Sequence, residues 1–287
     1  MNITVTIKEL RRICQKKYEE FKRGYPIWEY PWRMISIYFT KVFLLLGFTA
    51  NQVSLISTII GVLATVFLAI GPRWYAIIGA LLLHLWEILD CTDGEIARYR
   101  GSSGVIGDYV DRLSNTVVEP LIFVALTIRV YYQVSNDFMI LLFGFLASVA
   151  TLQIKLVMYL SYASALSAFL SLGKVKKILE KMSLKDFQKS LPHLWGHFSL
   201  RYAVIQNFLP SGFITMCILL IITVINSLVP FLKINSLNLN FLHLFLMVYG
   251  LLLPLGVIGL IIVFLLGKTP QKIYHTIILK AREVAAD

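Results

Sequence analysis

The chain is organised by long runs without charge. Val53 to Ile70 has none. Trp74 to Leu89 is broken only by Glu87, and Leu113 to Ile128 carries Glu119 followed by Pro120. Phe138 to Leu172 holds a single charge, Lys155, and both Tyr202 to Leu232 and Ile234 to Gly267 are uncharged. A helix of about 20 mostly apolar residues crosses a bilayer. The pattern therefore predicts six spans, near 51–71, 74–93, 107–131, 138–163, 207–230 and 240–267. In lipid the backbone must be satisfied within each segment, so the fold class expected is all-α and polytopic. Residues 31–48 are apolar on much of their surface but carry Arg33 and Lys41, which suits an interfacial amphipathic helix. Three regions follow: N-terminal cytoplasmic and interfacial helices over 1–50, a six-helix transmembrane catalytic domain over 51–267 with a cytoplasmic loop at 164–206, and a cytoplasmic tail at 268–287.

Composition agrees with this reading. Of the 287 residues 57% are hydrophobic and only 15% charged, which excludes an ordinary soluble domain, a disordered chain and a coiled coil. The net charge of +11 would suggest nucleic acid in a soluble protein. Here it sorts by membrane side: 23 Lys and Arg fall on the segments assigned to one face, against Arg73, Arg129 and Lys233 on the other. Both termini are thus expected in the cytoplasm, with anionic lipid rather than nucleic acid as the partner of the basic loops. The N-terminus is charged and lacks the apolar core of a signal peptide. Cys14, Cys91 and Cys217 form neither a disulfide framework nor a zinc pattern.

The acids are few and unevenly placed. Six of the 16 (Glu87, Asp90, Asp93, Glu95, Asp108 and Asp111) lie within 25 positions, at the mouth of the second and third spans. Acids at membrane depth usually mark function. Asp90 and Asp93 share a helix face, and Asp108, Asp111, Asn115 and Glu119 step along one face of the third span. Facing carboxylates repel unless a cation neutralises them, and oxygen ligands select Mg²⁺, Mn²⁺ or Ca²⁺. Gly94 and Ala97 leave space beside the acids, while Arg98 and Arg100 suit phosphate. The combination points to a metal-bound diphosphate. His84, one turn before Glu87, reads as a buried hydrogen-bonding residue.

At these residues the sequence resembles the CDP-alcohol phosphotransferase (CDP-alcohol phosphatidyltransferase) family, whose signature is D-x2-D-G-x2-A-R-x8-G-x3-D-x3-D. Asp90, Asp93, Gly94, Ala97, Arg98, Gly107 and Asp111 match at the family's spacing, and Asn115 stands where the last Asp belongs. Thr49-Ala50-Asn51-Gln52-Val53 is similar to the family's T-P-N-x-[VI] opening of the first span, with Ala in place of Pro. The resemblance implies a transferase for substituted phosphate groups, moving a phosphoryl-alcohol group, often phosphatidyl, from a CDP-linked donor to an acceptor hydroxyl with release of CMP. It implies two divalent ions, Mg²⁺ or Mn²⁺, on Asp90, Asp93, Asp111 and Asn115. Asp90, Gly94, Ala97, Arg98 and Gly107 would hold the CDP and its diphosphate, and Asp111 and Asn115 would face the reaction. The partners implied are a CDP-linked lipid or alcohol donor, a polyol-phosphate, amino-alcohol or sugar-type acceptor, membrane lipids, and a second copy in a homodimer.

Asn115 departs from the pattern, because an amide cannot take the acceptor's proton. Glu119, one turn on, and Asp108 are alternative groups. Lys155 and Arg201 are candidates for an acceptor phosphate, and snorkelling to the headgroups is the other reading of each. Two other functions stay open: a nucleotide or lipid-binding homologue without turnover, and a divalent-ion transporter. A transporter predicts acids at the midplane and a repeated layout. Neither is visible in the sequence.

Overall fold

The computed structural model describes residues 5–15, 30–102, 104–134, 138–171, 212–229, 232–234, 237–275 and 278. Eight helices are named here: α1 (Ile7–Cys14), α2 (Tyr30–Leu45), α3 (Ala50–Ala69), α4 (Arg73–Arg100), α5 (Val105–Val134), α6 (Phe138–Leu170), α7 (Phe213–Leu228) and α8 (Phe241–Leu266). Between α7 and α8 a two-stranded antiparallel hairpin pairs β1 (Leu232–Ile234) with β2 (Leu237–Leu239). The architecture is that of a helical, multi-pass membrane protein. Five helices (α3, α4, α5, α6 and α8) are long and apolar enough to cross a membrane, and α7 is a shorter apolar helix. At 16 residues α2 is too short to span.

Local chemistry sets the helix ends. Thr49 caps α3: its hydroxyl accepts from the Gln52 N–H, while the Gln52 side chain accepts from the Thr49 N–H. This reciprocal box satisfies two otherwise orphaned donors. The α4 helix ends at Gly101, whose left-handed φ of 61° suits a residue without Cβ. The expected connecting segment is thereby corrected. Residues 94–100 continue α4, because Gly94 tolerates helical geometry and the chain turns only where Gly101 permits it. Likewise α6 runs to Leu170, seven residues into the expected 164–206 loop, since 164–170 are apolar or small and carry no break. Positions 172–206 of that loop lie outside the described residues, as do positions 207–211 at the start of the expected 207–230 span.

Packing runs in a chain of neighbours: α3 against α4 and α5, α5 against α6, α6 against α8, and α7 against α4. Gly79 allows α3 and α4 to cross closely, because a Cβ there would meet the Ala64 carbonyl oxygen at 2.7 Å. Trp86 fills the centre, fully buried, with its indole N–H directed at Ser114 Oγ (3.4 Å). At the far end Arg129 is buried and donates to the carbonyls of Phe67 (3.1 Å), Leu68 and Ile70 (2.8 Å). A cation there satisfies the carbonyls that α3 leaves free at its C-terminus.

The N-terminal helices dock on α4 through one carboxylate. Glu95 is completely buried. Its Oε1 accepts from Gln15 Nε2 and Ser36 Oγ, each at 2.7 Å, and its Oε2 accepts from Thr40 Oγ1 at 2.6 Å. Gln15 Nε2 also donates to the Arg33 carbonyl at 2.7 Å. Leu10, Cys14, Ile37, Leu44, Val53 and Ile96 form a small apolar cluster around this joint. Burial, reinforced by the Glu95 charge, pushes the Cys14 thiol up to about 11, so it stays protonated near neutrality. Replacing Glu95 by Ala orphans three donors at once. Charged-group hydrogen bonds contribute about 1.5–3 kcal/mol each, so we expect Glu95→Ala to cost on the order of 3 kcal/mol or more. Thermal unfolding in detergent checks this, with Glu95→Gln expected to lose less because its amide oxygen still accepts.

Candidate metal centre

The last turns of α4 and the first turns of α5 bring three acids together. Asp90 and Asp93 sit three residues apart on α4, and Asp111 faces them from α5. One oxygen from each lies within 4.8 Å of the other two. Asp93 is buried, and Asp90 and Asp111 are half-buried. The carboxyl groups of Asp90 and Asp111 thus face each other across the two helices. Like charges this close need a proton or a cation between them.

The neighbours orient the cluster. Ser54, on α3, donates its hydroxyl to Asp93 Oδ2. Asn115 Nδ2 donates to the Asp111 carbonyl (3.2 Å) and to Asp111 Oδ1 (3.4 Å). Asp90 Oδ1 is buried and has no hydrogen-bond partner. A buried carboxylate oxygen without a donor is costly, so its position asks for a ligand. Three hard oxygen donors with one orphaned oxygen fit Mg²⁺ or Mn²⁺. Among the described residues this is the one acidic, His or Cys group with such spacing.

The small residues flank the triad. A Cβ on Gly94 would meet only the guanidinium end of Arg98, at 3.3 Å, and one on Gly107 would meet Asn51 Oδ1 at 3.6 Å. Ala97 is half-buried one turn beyond Asp93. Arg98 Nε donates to the Cys14 carbonyl at 2.7 Å, so α1 fixes how this arginine lies across Gly94.

The other acids separate from the cluster. Asp108 is exposed and tied bidentately to Arg112, at 2.7 and 3.0 Å. It does not join Asp111, because its carboxylate is drawn to its own i+4 cation, Arg112. Glu95 faces the N-terminal helices, about 200° round α4 from Asp93. Glu87 is buried one turn before Asp90. Glu119 is buried on α5 and pairs with Lys155 of α6 at 2.8 Å, so the two candidates expected separately are one unit. Arg201 lies outside the described residues. Ser54 and the Cys14 carbonyl were not expected. Ser54 carried no distinguishing signal, since Ser57, Thr58 and Thr65 place hydroxyls in the same apolar run.

Residues 48–183 match the CDP-alcohol phosphatidyltransferase family model. No curated protein matches the chain at a significant level. The segment from α3 to α6, with the triad, is therefore similar to that family, and α1, α2, α7 and α8 lie outside the match. The family consists of transferases that move a phosphoalcohol group from a CDP-alcohol and generally use divalent metal ions.

Outer hydrogen bonds to metal ligands typically contribute about 10- to 100-fold in metal affinity. Ser54→Ala is therefore expected to weaken Mn²⁺ binding at least about tenfold, and Asp93→Asn to abolish it. Mn²⁺ titration of metal-stripped protein, read by electron paramagnetic resonance of free ion, measures both.

Proposed function

We propose that this protein is an integral-membrane transferase moving a phosphoryl-alcohol group, phosphatidyl in the first instance, from a CDP-linked donor to an acceptor hydroxyl. CMP is the product released, and the setting is synthesis of phospholipids or related phosphodiesters. The observation that carries the reading is the orphaned Asp90 oxygen inside a carboxylate triad formed by the signature residues themselves. Asp90, Asp93 and Asp111 would hold two Mg²⁺ or Mn²⁺ ions, with the Asn115 amide oxygen as a further donor. Bound there, divalent ions supply charge neutralisation for the diphosphate and its departing phosphate.

The protein's own groups do the remaining work. Ser54 and Asn115 hold two of the carboxylates in place. Gly94, Ala97 and Gly107 leave room for the CDP moiety, and Arg98 presents donors beside Gly94 for phosphate. The distribution of basic residues supports a site and both termini on the cytoplasmic side. The acceptor is a small polyol phosphate, amino alcohol or sugar-type hydroxyl compound. Arg201 is the proposed contact for an acceptor phosphate. Lys155 would serve that role only by sharing its charge with Glu119.

Asn115 favours a second reading, a homologue that binds the nucleotide-lipid without turnover. One assay separates the two. The full chain, purified in detergent with CDP-diacylglycerol and Mn²⁺, is presented with glycerol 3-phosphate, inositol, inositol phosphate and serine in turn. Transfer predicts CMP release with at least one acceptor, abolished by EDTA and brought to background by Asp93→Asn. Absence of CMP with every acceptor, while CDP still raises the melting temperature, would establish the binding reading.

A further inference from the structure

We propose that Glu119, held by Lys155, receives the proton of the acceptor hydroxyl in this chain. The inference rests on the transfer reading above and assigns a group that the signature does not contain.

Asn115 is unsuited to that task on two counts. An amide does not accept a proton near neutral pH. The structure also uses its nitrogen as a donor to Asp111, which fixes the side chain as a support for that carboxylate. A proton acceptor must come from elsewhere on the reacting face.

Glu119 is that group by placement. It lies four residues beyond Asn115, one turn along the same face of α5, a backbone rise of about 6 Å. Helical side chains lean toward the helix N-terminus. A glutamate one turn later, with one methylene more than aspartate, thus reaches back toward the space beside Asn115. Glu119 is only 2% exposed. Its Oε1 is engaged by Lys155 Nζ at 2.8 Å, whereas its Oε2 is buried with no hydrogen-bond partner. A hydroxyl arriving there would supply the missing donor. The Lys155 charge also acts on Asp111, so the pair lies within electrostatic reach of the triad. Pro120, directly after Glu119, removes the N–H that would otherwise bond the Thr116 carbonyl, and so loosens the turn between Asn115 and Glu119.

The step balances. The acceptor O–H bond breaks and its proton passes to Glu119 Oε2. The oxygen's electron pair forms the bond to the phosphorus bearing the alcohol of the donor. The bond from that phosphorus to the bridging oxygen breaks, and its electrons leave with CMP. Lys155 keeps its proton and holds the carboxylate in position throughout.

A purely structural pair, stapling α5 to α6, predicts different behaviour. General-base catalysis contributes about 100- to 10,000-fold. Glu119→Gln alone strands the Lys155 charge and is prone to misfolding, so Glu119→Gln/Lys155→Met, an uncharged pair of similar volume, is made beside it. Glu119→Asp keeps the charge and withdraws the oxygen. The readouts are CMP release from CDP-diacylglycerol with the acceptor found active, and the Mn²⁺-dependent melting shift with CDP. We expect the double variant to lose kcat at least about 100-fold with the CDP shift intact, and Glu119→Asp to lose about tenfold. Adding Asn115→Asp to the double variant is expected to restore kcat about tenfold or more, since an aspartate there again offers a carboxylate. A double variant within threefold of wild-type kcat, a CDP shift lost along with activity, or no rescue by Asn115→Asp would each overturn the assignment while leaving the transfer reading intact. Wild-type protein that binds CDP yet releases no CMP would overturn both.

Discussion

Mutual repulsion among three carboxylates is the constraint around which this molecule is arranged. Asp90, Asp93 and Asp111 place one oxygen each within 4.8 Å of the others. Coulomb repulsion at such separations is weak in water but severe where the effective dielectric falls. The surroundings limit it in several ways. The triad sits at the ends of α4 and α5 rather than mid-span, and Ser54 and Asn115 donate to it. Glu95 is turned to the opposite side, and Asp108 is drawn outward by Arg112. What is left over is an orphaned Asp90 oxygen, which protein donors do not satisfy and a divalent cation would.

Rigidity in the surrounding helices gives that cluster its geometry. Gly79 lets α3 approach α4 closely enough for Ser54 to meet Asp93. From the other side, α1 and α2 wrap the fully buried Glu95, two residues beyond Asp93, and the Cys14 carbonyl holds Arg98. The same helical stretch is therefore clamped on two faces. The N-terminal helices lie outside the family-matched segment, yet they hold one of its signature residues in place.

The sequence made the triad legible because fixed spacing on helices is a geometric statement. A three-residue step on α4 and the distance to Asp111 put the acids on facing surfaces without knowledge of any contact. Uncharged runs located α3 to α6 and α8 for the same reason: in lipid, apolar length and span coincide. Helix ends were less legible. The second span was expected to end at residue 93, but the chain turns only at Gly101, where the left-handed φ is adopted. Partners from distant segments were not legible at all. Nothing near Glu95 in sequence announces Gln15, Ser36 and Thr40, and Glu119 with Lys155 read as two separate candidates because their meeting depends on how α5 packs on α6.

Seen as charge placement, Asn115 is more than a missing acid. A carboxylate at that position would put a fourth negative group beside Asp111. The chain instead has an amide there and a carboxylate one turn further in, where Lys155 neutralises it at 2.8 Å. That carboxylate is compensated by the protein itself. A buried pair of this kind is weak support for stability, since desolvation offsets most of the attraction. Two apolar residues would staple α5 to α6 at least as well. Retaining a charged pair with one unsatisfied oxygen, next to a site lacking its expected acid, makes sense when that oxygen has a ligand to meet.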